Sequence, residues 1–189
     1  GYIMSNNELV QRLKPTATWK DLTLPEAELK HLKDIAEHIK HKRIATRPFG
    51  QPGRPLPSAG VIALFAGPSG TSKTLAAEVL ANQLNHPLYR VDMSHVVSKY
   101  IGETEKNLQR VFDTAIKAGA ILLFDEADAL FGKRSEVNDG HDRFANQEVS
   151  YLFQRMEAFQ GFSILSSNMK TKIDPAFLKR IHFVIKISS

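Results

Sequence analysis

The stretch VIALFA, Val61 to Ala66, is apolar at every position and runs straight into the glycine-rich octapeptide GPSGTSKT, Gly67 to Thr74. A strand with one wet face alternates apolar and polar residues, so an unbroken apolar run predicts a strand covered on both faces. Four further segments fit the same grammar: Leu88 to Val91, Ile121 to Phe124, Phe162 to Ser166 and Phe183 to Ile187. Between them lie segments of helical spacing. Thr74 to Leu84 is helical in composition, Leu108, Val111, Phe112 and Ala115 share one helix face, and Val149, Leu152, Phe153 and Met156 share another. Apolar strands alternating with amphipathic helices predict an α/β fold, a five-stranded parallel sheet sandwiched between helical layers, with its ligands at the carboxyl ends of the strands.

Every polar motif of interest falls at such an end. A loop of Gly67, Pro68, Ser69, Gly70, Thr71, Ser72 and Lys73 between a strand and a helix turns its amides inward around phosphate, with the helix dipole behind them. Lys73 is expected to reach the β- and γ-phosphates and the Thr74 hydroxyl to ligate Mg²⁺, with Leu75 following on the same helix start. The second apolar strand of the site, in ILLFDEAD, delivers Asp125 to hold a metal-bound water and Glu126 to polarise an attacking water. Adjacent acids in a helix are commonly surface charge; at the end of a buried strand they are placed for chemistry.

The N-terminal third is organised differently. Residues 1–18 are expected to be a tag or disordered N-terminus, with Met4 a natural start. From Pro25 to about Ile44 the residues Leu29, Leu32, Ile35, Ala36, Ile39 and Ile44 recur at helical spacing, and Glu26 and Glu28 suit the first turn. PFGQPGRPLPSAG, Pro48 to Gly60, reads as a linker, so 19–60 is expected to be a helix plus linker appended to a core at 61–189. Residues 1–60 hold 10 Lys/Arg against 6 Asp/Glu, most of the net charge of +5. Lys40, Lys42, Arg43 and Arg47 form either an anionic-surface or nucleic-acid patch or a solvated helix face. The second reading is preferred because no aromatics interleave with the charges to stack on bases. The chain has no cysteine, which excludes disulfides and thiolate metal sites, and no run approaches the roughly 18 apolar residues of a membrane span. A cytoplasmic protein with no membrane partner is expected.

From about Trp19 to the C-terminus the sequence resembles the ATPase core of the AAA family, P-loop NTPases that work as rings. GPSGTSKT and ILLFDEAD match its Walker A and Walker B segments, and SKYIGETEKNL, Ser98 to Leu108, resembles its pore loop, with Tyr100, Ile101 and Gly102 as the tip. The resemblance identifies Asn168 of ILSSN with the family's sensor asparagine beside the γ-phosphate. It implies ATP and Mg²⁺ as cofactors, a hexameric ring, and a protein substrate rather than nucleic acid. WKDLTLP, FAGPSGTSKT, ALFGKRSEV and DPAFLKRIHFVI are most similar in phrasing to bacterial single-ring members, some of them encoded with phage-tail-like contractile injection particles.

Three departures qualify this expectation. Ser72 stands where the family has glycine, and a side chain there penalises any positive φ by roughly 1–2 kcal/mol, so weakened rather than abolished phosphate binding is expected. In DPAFLKRIHF, Lys179 and His182 occupy slots where the family carries arginines that act on a neighbour's phosphates, and Arg180 lies between them. An arginine finger is worth about 10³ to 10⁵ in rate, lysine lacks its bidentate fork, and Arg180 with Lys179 would have to supply the function. The family places a helical lid after the last strand, and residues 1–189 are expected to lack it, either because the chain is cut short or because the natural protein has none. The leading expectation is an ATP hydrolase module of a protein-remodelling ring. The rival is a nucleotide-sensing scaffold without efficient turnover, and a third reading is a nucleic-acid-associated ATPase with salt-sensitive DNA binding.

Overall fold

The computed structural model describes residues 9–45, 60–68, 72–132, 140–169 and 172–188. Its strands are β1 (Val10–Leu13), β2 (Val61–Ala66), β3 (Leu88–Asp92), β4 (Ile121–Asp125), β5 (Phe162–Ser167) and β6 (Phe183–Lys186). Its helices are α1 (Glu26–Ala45), α2 (Lys73–Gln83), α3 (Met93–Val96), α4 (Glu103–Ala118), α5 (Asp128–Phe131), α6 (Gly140–Ala158) and α7 (Pro175–Leu178). The strands form one sheet in the order β1-β3-β4-β5-β2-β6. All neighbours run parallel except β1, which pairs antiparallel with β3 from Val10↔Val91 to Leu13↔Leu88. The five strands expected from the sequence are all present, and the strand count is corrected to six.

The added strand comes from within residues 1–18, the stretch expected to be a tag or disordered. Its sequence, VQRL, buries only Val10 fully, so it has none of the apolar continuity that reveals the other strands. It holds its place by backbone pairing at the sheet edge, where one dry residue is enough.

Alternation along each central strand sorts the core into two layers. Ile62, Leu64, Leu122, Phe124, Tyr89 and Val91 face one cluster, which α4 and α6 close with Leu108, Val111, Phe112, Val149, Leu152 and Phe153. Val61, Ala63, Phe65, Ile121, Leu123 and Ile164 face the other, closed by Ala76, Ala77 and Leu80 of α2 and by Leu32, Ile35, Ala36 and Ile39 of α1. This is the three-layer α/β sandwich of a P-loop NTPase. Each fully buried Leu or Phe contributes about 1.5–3 kcal/mol by leaving water.

Helix α1 is therefore a covering layer of the sheet rather than an appendage. Asn82 Nδ2 donates to the Ala17 carbonyl at 2.8 Å, and Ser188 donates to Glu28 through both its amide (3.0 Å) and its hydroxyl (2.7 Å), tying the start of α1 to the end of β6. The expected linker at Pro48 to Gly60 lies outside the described residues apart from Gly60. There the backbone is pressed against α6: the Gly60 amide donates to the Glu157 carbonyl at 2.9 Å, and a Cβ would sit 2.1 Å from the Phe159 carbonyl oxygen. Among the described residues no helix is long and apolar enough to cross a membrane.

Candidate functional site

The carboxyl ends of β2, β5 and β4 are stitched together by backbone bonds beyond the ladder. The Gly67 amide donates to the Ser167 carbonyl at 3.1 Å, and the Ala127 amide donates to the Ser166 carbonyl at 2.9 Å. The glycine loop, the acidic pair and the turn after β5 that carries Asn168 thus meet at the carboxyl edge of the sheet.

Of the loop, Gly67, Pro68 and Ser72 are described, while Ser69, Gly70 and Thr71 lie outside the described residues. Lys73, at the first position of α2, is buried and folded back over the loop. Its Nζ donates to the carbonyls of Gly67 at 2.6 Å and Pro68 at 2.9 Å. Burial pushes this ammonium below its ordinary value of 10.5, and the charges of Asp125 and Asp128 pull it back up. Thr74 and Leu75 follow half-buried on the same turn. Ser72 has φ −83 and ψ 29, with its carbonyl accepting from the Ala76 amide at 2.8 Å. The strain expected of a side chain at this position does not arise, because the backbone there is on the ordinary, negative side of φ.

Asp125 ends β4 opposite Asp92 of β3. Its Oδ1 accepts from the Glu126 amide at 2.9 Å, and its Oδ2 accepts from Arg90 Nε at 2.8 Å and also from Arg90 Nη2. Glu126 itself is exposed and adopts φ 55, a left-handed conformation that costs a non-glycine residue about 1–3 kcal/mol and concentrates at functional sites. The turn is held by the Asp125 contact and by the Ala129 amide, which donates to the Glu126 carbonyl at 3.0 Å. Asp92 caps α3 by accepting from the Ser94 amide and hydroxyl. Burial opposes its ionisation, but these bonds with the charges of His95 and Arg90 outweigh it and lower its pKa.

Asn168 follows β5, and its amide donates to Asp128 Oδ2 at 2.8 Å while the Ser167 hydroxyl donates to Asp128 Oδ1 at 2.8 Å. Asp128 is thus the residue that fixes the asparagine's turn, and Met169, next along, has φ 63. Asp128, Arg90 and Gln11 are the site residues that sequence reasoning missed. A signal for Arg90 existed: it is the one charge inside LYRV, an otherwise apolar and aromatic run.

The remaining expected residues lie elsewhere on the surface. Tyr100 and Ile101 are 64% and 78% exposed at the tip of a turn that Gly102, at φ 80, allows to start α4. No atom lies within 4 Å of a Cβ built at Gly102, so backbone conformation rather than space asks for glycine there. Ser98 frames the turn: its amide donates to Thr104 Oγ1 at 2.8 Å and its hydroxyl accepts from the Tyr100 amide at 3.1 Å. Lys179 is exposed at the C-cap of α7. Arg180 is held within its own chain, its Nε donating to Glu157 Oε2 at 3.0 Å and its guanidinium lying 5.3 Å from the Phe153 ring centre. His182 accepts at Nδ1 from the Ile62 amide at 3.0 Å, while its own amide donates to the Ile62 carbonyl at 2.9 Å, so it closes the β2–β6 ladder.

This donor set fits a magnesium-bound nucleotide. Among the described residues no group of three or more His, Cys, Asp or Glu could hold a metal unaided. Mg²⁺ takes one or two protein oxygens and completes its shell with phosphate and water, and Thr74 and Asp125 are oxygen donors of the kind it takes.

Comparison with known proteins gives the same direction. Residues 63–189 match the family described as ATPase family associated with various cellular activities (AAA). The chain is 32% identical over 180 residues to the Uncharacterized AAA family ATPase y4kL of Sinorhizobium fredii, covering 94% of this chain and 52% of that protein. It is 30% identical over 192 residues to Cell division protein C of Sulfolobus acidocaldarius, covering 94% and 47%. It is 32% identical over 178 residues to the Proteasome-activating nucleotidase of Thermococcus onnurineus, covering 91% and 42%. The chain spans about half the length of these relatives. With the sheet order, the lysine-bearing loop and the matched region in agreement, the chain belongs to the AAA family of ATPases.

Proposed function

We propose that this chain is the ATP-binding module of a ring-forming ATPase that remodels or translocates a protein substrate. The observation that carries the reading is the convergence, on one sheet edge, of a buried Lys73, the Asp125–Glu126 pair and the Asp128-braced Asn168. Lys73 and the amides of Gly67 to Thr74 would hold the phosphates; Thr74 and Asp125 would hold Mg²⁺. When bound, the ion supplies charge neutralisation across the β- and γ-phosphates. Glu126, exposed beside Asp125, would accept the proton of the attacking water, and Asn168 would orient that water. Ring assembly and a hexameric state are supported by the kinship with proteasome-activating nucleotidases, and the exposed Tyr100 and Ile101 suit an apolar grip on polypeptide. The narrower kinship with ATPases encoded beside contractile injection particles rests on sequence phrasing alone.

A second reading, a nucleotide-sensing scaffold with little turnover, is favoured by one observation. The residues at the arginine-finger segment are a lysine, an arginine tied to Glu157 and a histidine that accepts from the Ile62 amide. ATP turnover and nucleotide affinity of the chain and of Glu126→Gln decide between them. Turnover lost in the variant with affinity kept supports the motor. Binding in both with no turnover in either supports the scaffold, and no binding in either removes both.

A further inference from the structure

Arg90 is a cation inside the nucleotide site that the expected chemistry does not use. It sits on β3, and its three guanidinium nitrogens are all committed. Nε and Nη2 converge on one oxygen, Asp125 Oδ2, and Nη1 donates to Gln11 Oε1 of β1 at 3.1 Å. The pair is sheltered, with the Asp125 side chain 14% exposed and that of Arg90 34%. A carboxylate offers about four acceptor positions. Arg90 occupies two on Oδ2 and the Glu126 amide one on Oδ1, leaving one on Oδ1 for a metal-bound water.

We propose that Arg90 is a positioning residue for the divalent ion: a tethered counter-cation, braced by Gln11, that points the free lone pair of Asp125 and sets how much Mg²⁺ is needed to fill the site. The proposal rests on the reading that Asp125 serves a magnesium-bound nucleotide. Two physical effects follow from the geometry. Two guanidinium donors on Oδ2 anchor that oxygen, so the remaining acceptor position of the carboxylate is on Oδ1, beside the Glu126 amide. A fixed positive charge paired with Asp125 also repels an incoming divalent ion, which raises the Mg²⁺ concentration at which the site fills. Gln11 couples this setting to the antiparallel edge strand, so β1 contributes to the site although it carries no catalytic group.

The test uses the full chain with a fluorescent ADP analogue at fixed concentration and titrates Mg²⁺. Removing one unit charge a few ångströms from the ion, in surroundings of intermediate dielectric, is expected to lower the Mg²⁺ midpoint by about tenfold in Arg90→Met. Arg90→Lys, which keeps the charge, should stay near the wild-type midpoint, and Gln11→Ala should move it in the same direction as Arg90→Met by less. If Arg90→Met does not fold, Arg90→Gln gives the same readout. A purely structural role would weaken nucleotide binding in both Arg90 variants with the midpoint unmoved or raised, and that result overturns the proposal while leaving the nucleotide site standing. Absence of nucleotide binding by the wild-type chain at any Mg²⁺ concentration overturns both.

Discussion

The Arg180 guanidinium and the Glu157 carboxylate form a two-point ion pair within one chain, with Nε donating to Oε2 and Nη2 to Oε1. Arg180 also lies over the rings of Phe153 and Phe177, so the side chain is stacked as well as paired. An arginine acting on a neighbouring subunit would have to leave this seat.

The pair has a defined pH signature. Hydrogen bonding from Arg180, against burial and helped by the charges of Arg180 and His182, holds the Glu157 carboxyl below its ordinary value of 4.5. A carboxyl with a depressed folded value adds stability that is complete above 4.5 and is lost as pH falls through the lower folded value. Glu157→Gln should therefore be less stable than the wild type by about 1 kcal/mol or less at neutral pH, since both side chains are about one third exposed. The difference should shrink as the pH is taken below 4, as read by urea denaturation at each pH. A gap that widens in acid would contradict the assignment.

Gly60 predicts a steric effect. Its Cβ position lies 2.1 Å from the Phe159 carbonyl oxygen and 2.3 Å from that of Met156, both backbone atoms at the end of α6 that cannot swing away. Gly60→Ala should lose about 1–3 kcal/mol to the forced shift. Thermal denaturation that leaves the variant as stable as the wild type would show that this junction is looser than described.

Asp128 holds both the Ser167 hydroxyl and the Asn168 amide. In Asp128→Asn one of the two carboxylate acceptors becomes an amide donor facing a donor. Displacing a catalytic group by about an ångström can cost about 100-fold, so turnover should fall by roughly 10- to 100-fold while nucleotide affinity stays within a few-fold. Equal losses in both would mean Asp128 supports the binding loop rather than Asn168.

Tyr100, at 64% exposure, should be dispensable for folding: Tyr100→Ala is expected to change stability by no more than about 0.5 kcal/mol. On the proposed function, the same change should abolish work on a polypeptide by an assembled ring while ATP turnover persists. A large loss of stability would place the ring in the fold instead of the pore.

Much of this fold was legible because its core strands are apolar on both faces. Val61–Ala66 and Ile121–Asp125 announce themselves, and their ends locate Gly67, Asp125 and Glu126 without further information. What stayed hidden depends on contacts far apart in sequence. β1 pairs with β3 across some eighty residues and buries one side chain fully, so VQRL carries no local strand signal. Helix α1 was recognisable by Leu32, Ile35 and Ile39, but whether that stripe covers the sheet or another partner is decided only by the open face of β2, β5 and β6. A side chain at Ser72 is strained only if its φ is positive, and no local pattern shows that this φ is −83. Arg180 and His182 took roles set by Glu157 and Ile62, to which no short-range pattern points.

On the proposed function, the buried ammonium of Lys73 at the start of α2 grips the phosphates of a magnesium-bound nucleotide. Calorimetric titration of the chain with ATP and Mg²⁺, alongside Lys73→Ala, tests it most directly. A saturable binding heat is expected for the wild type and an affinity at least about tenfold lower for the variant, the loss of a charge-assisted phosphate contact. Equal affinities in the two proteins, or no binding heat in the wild type, would contradict it.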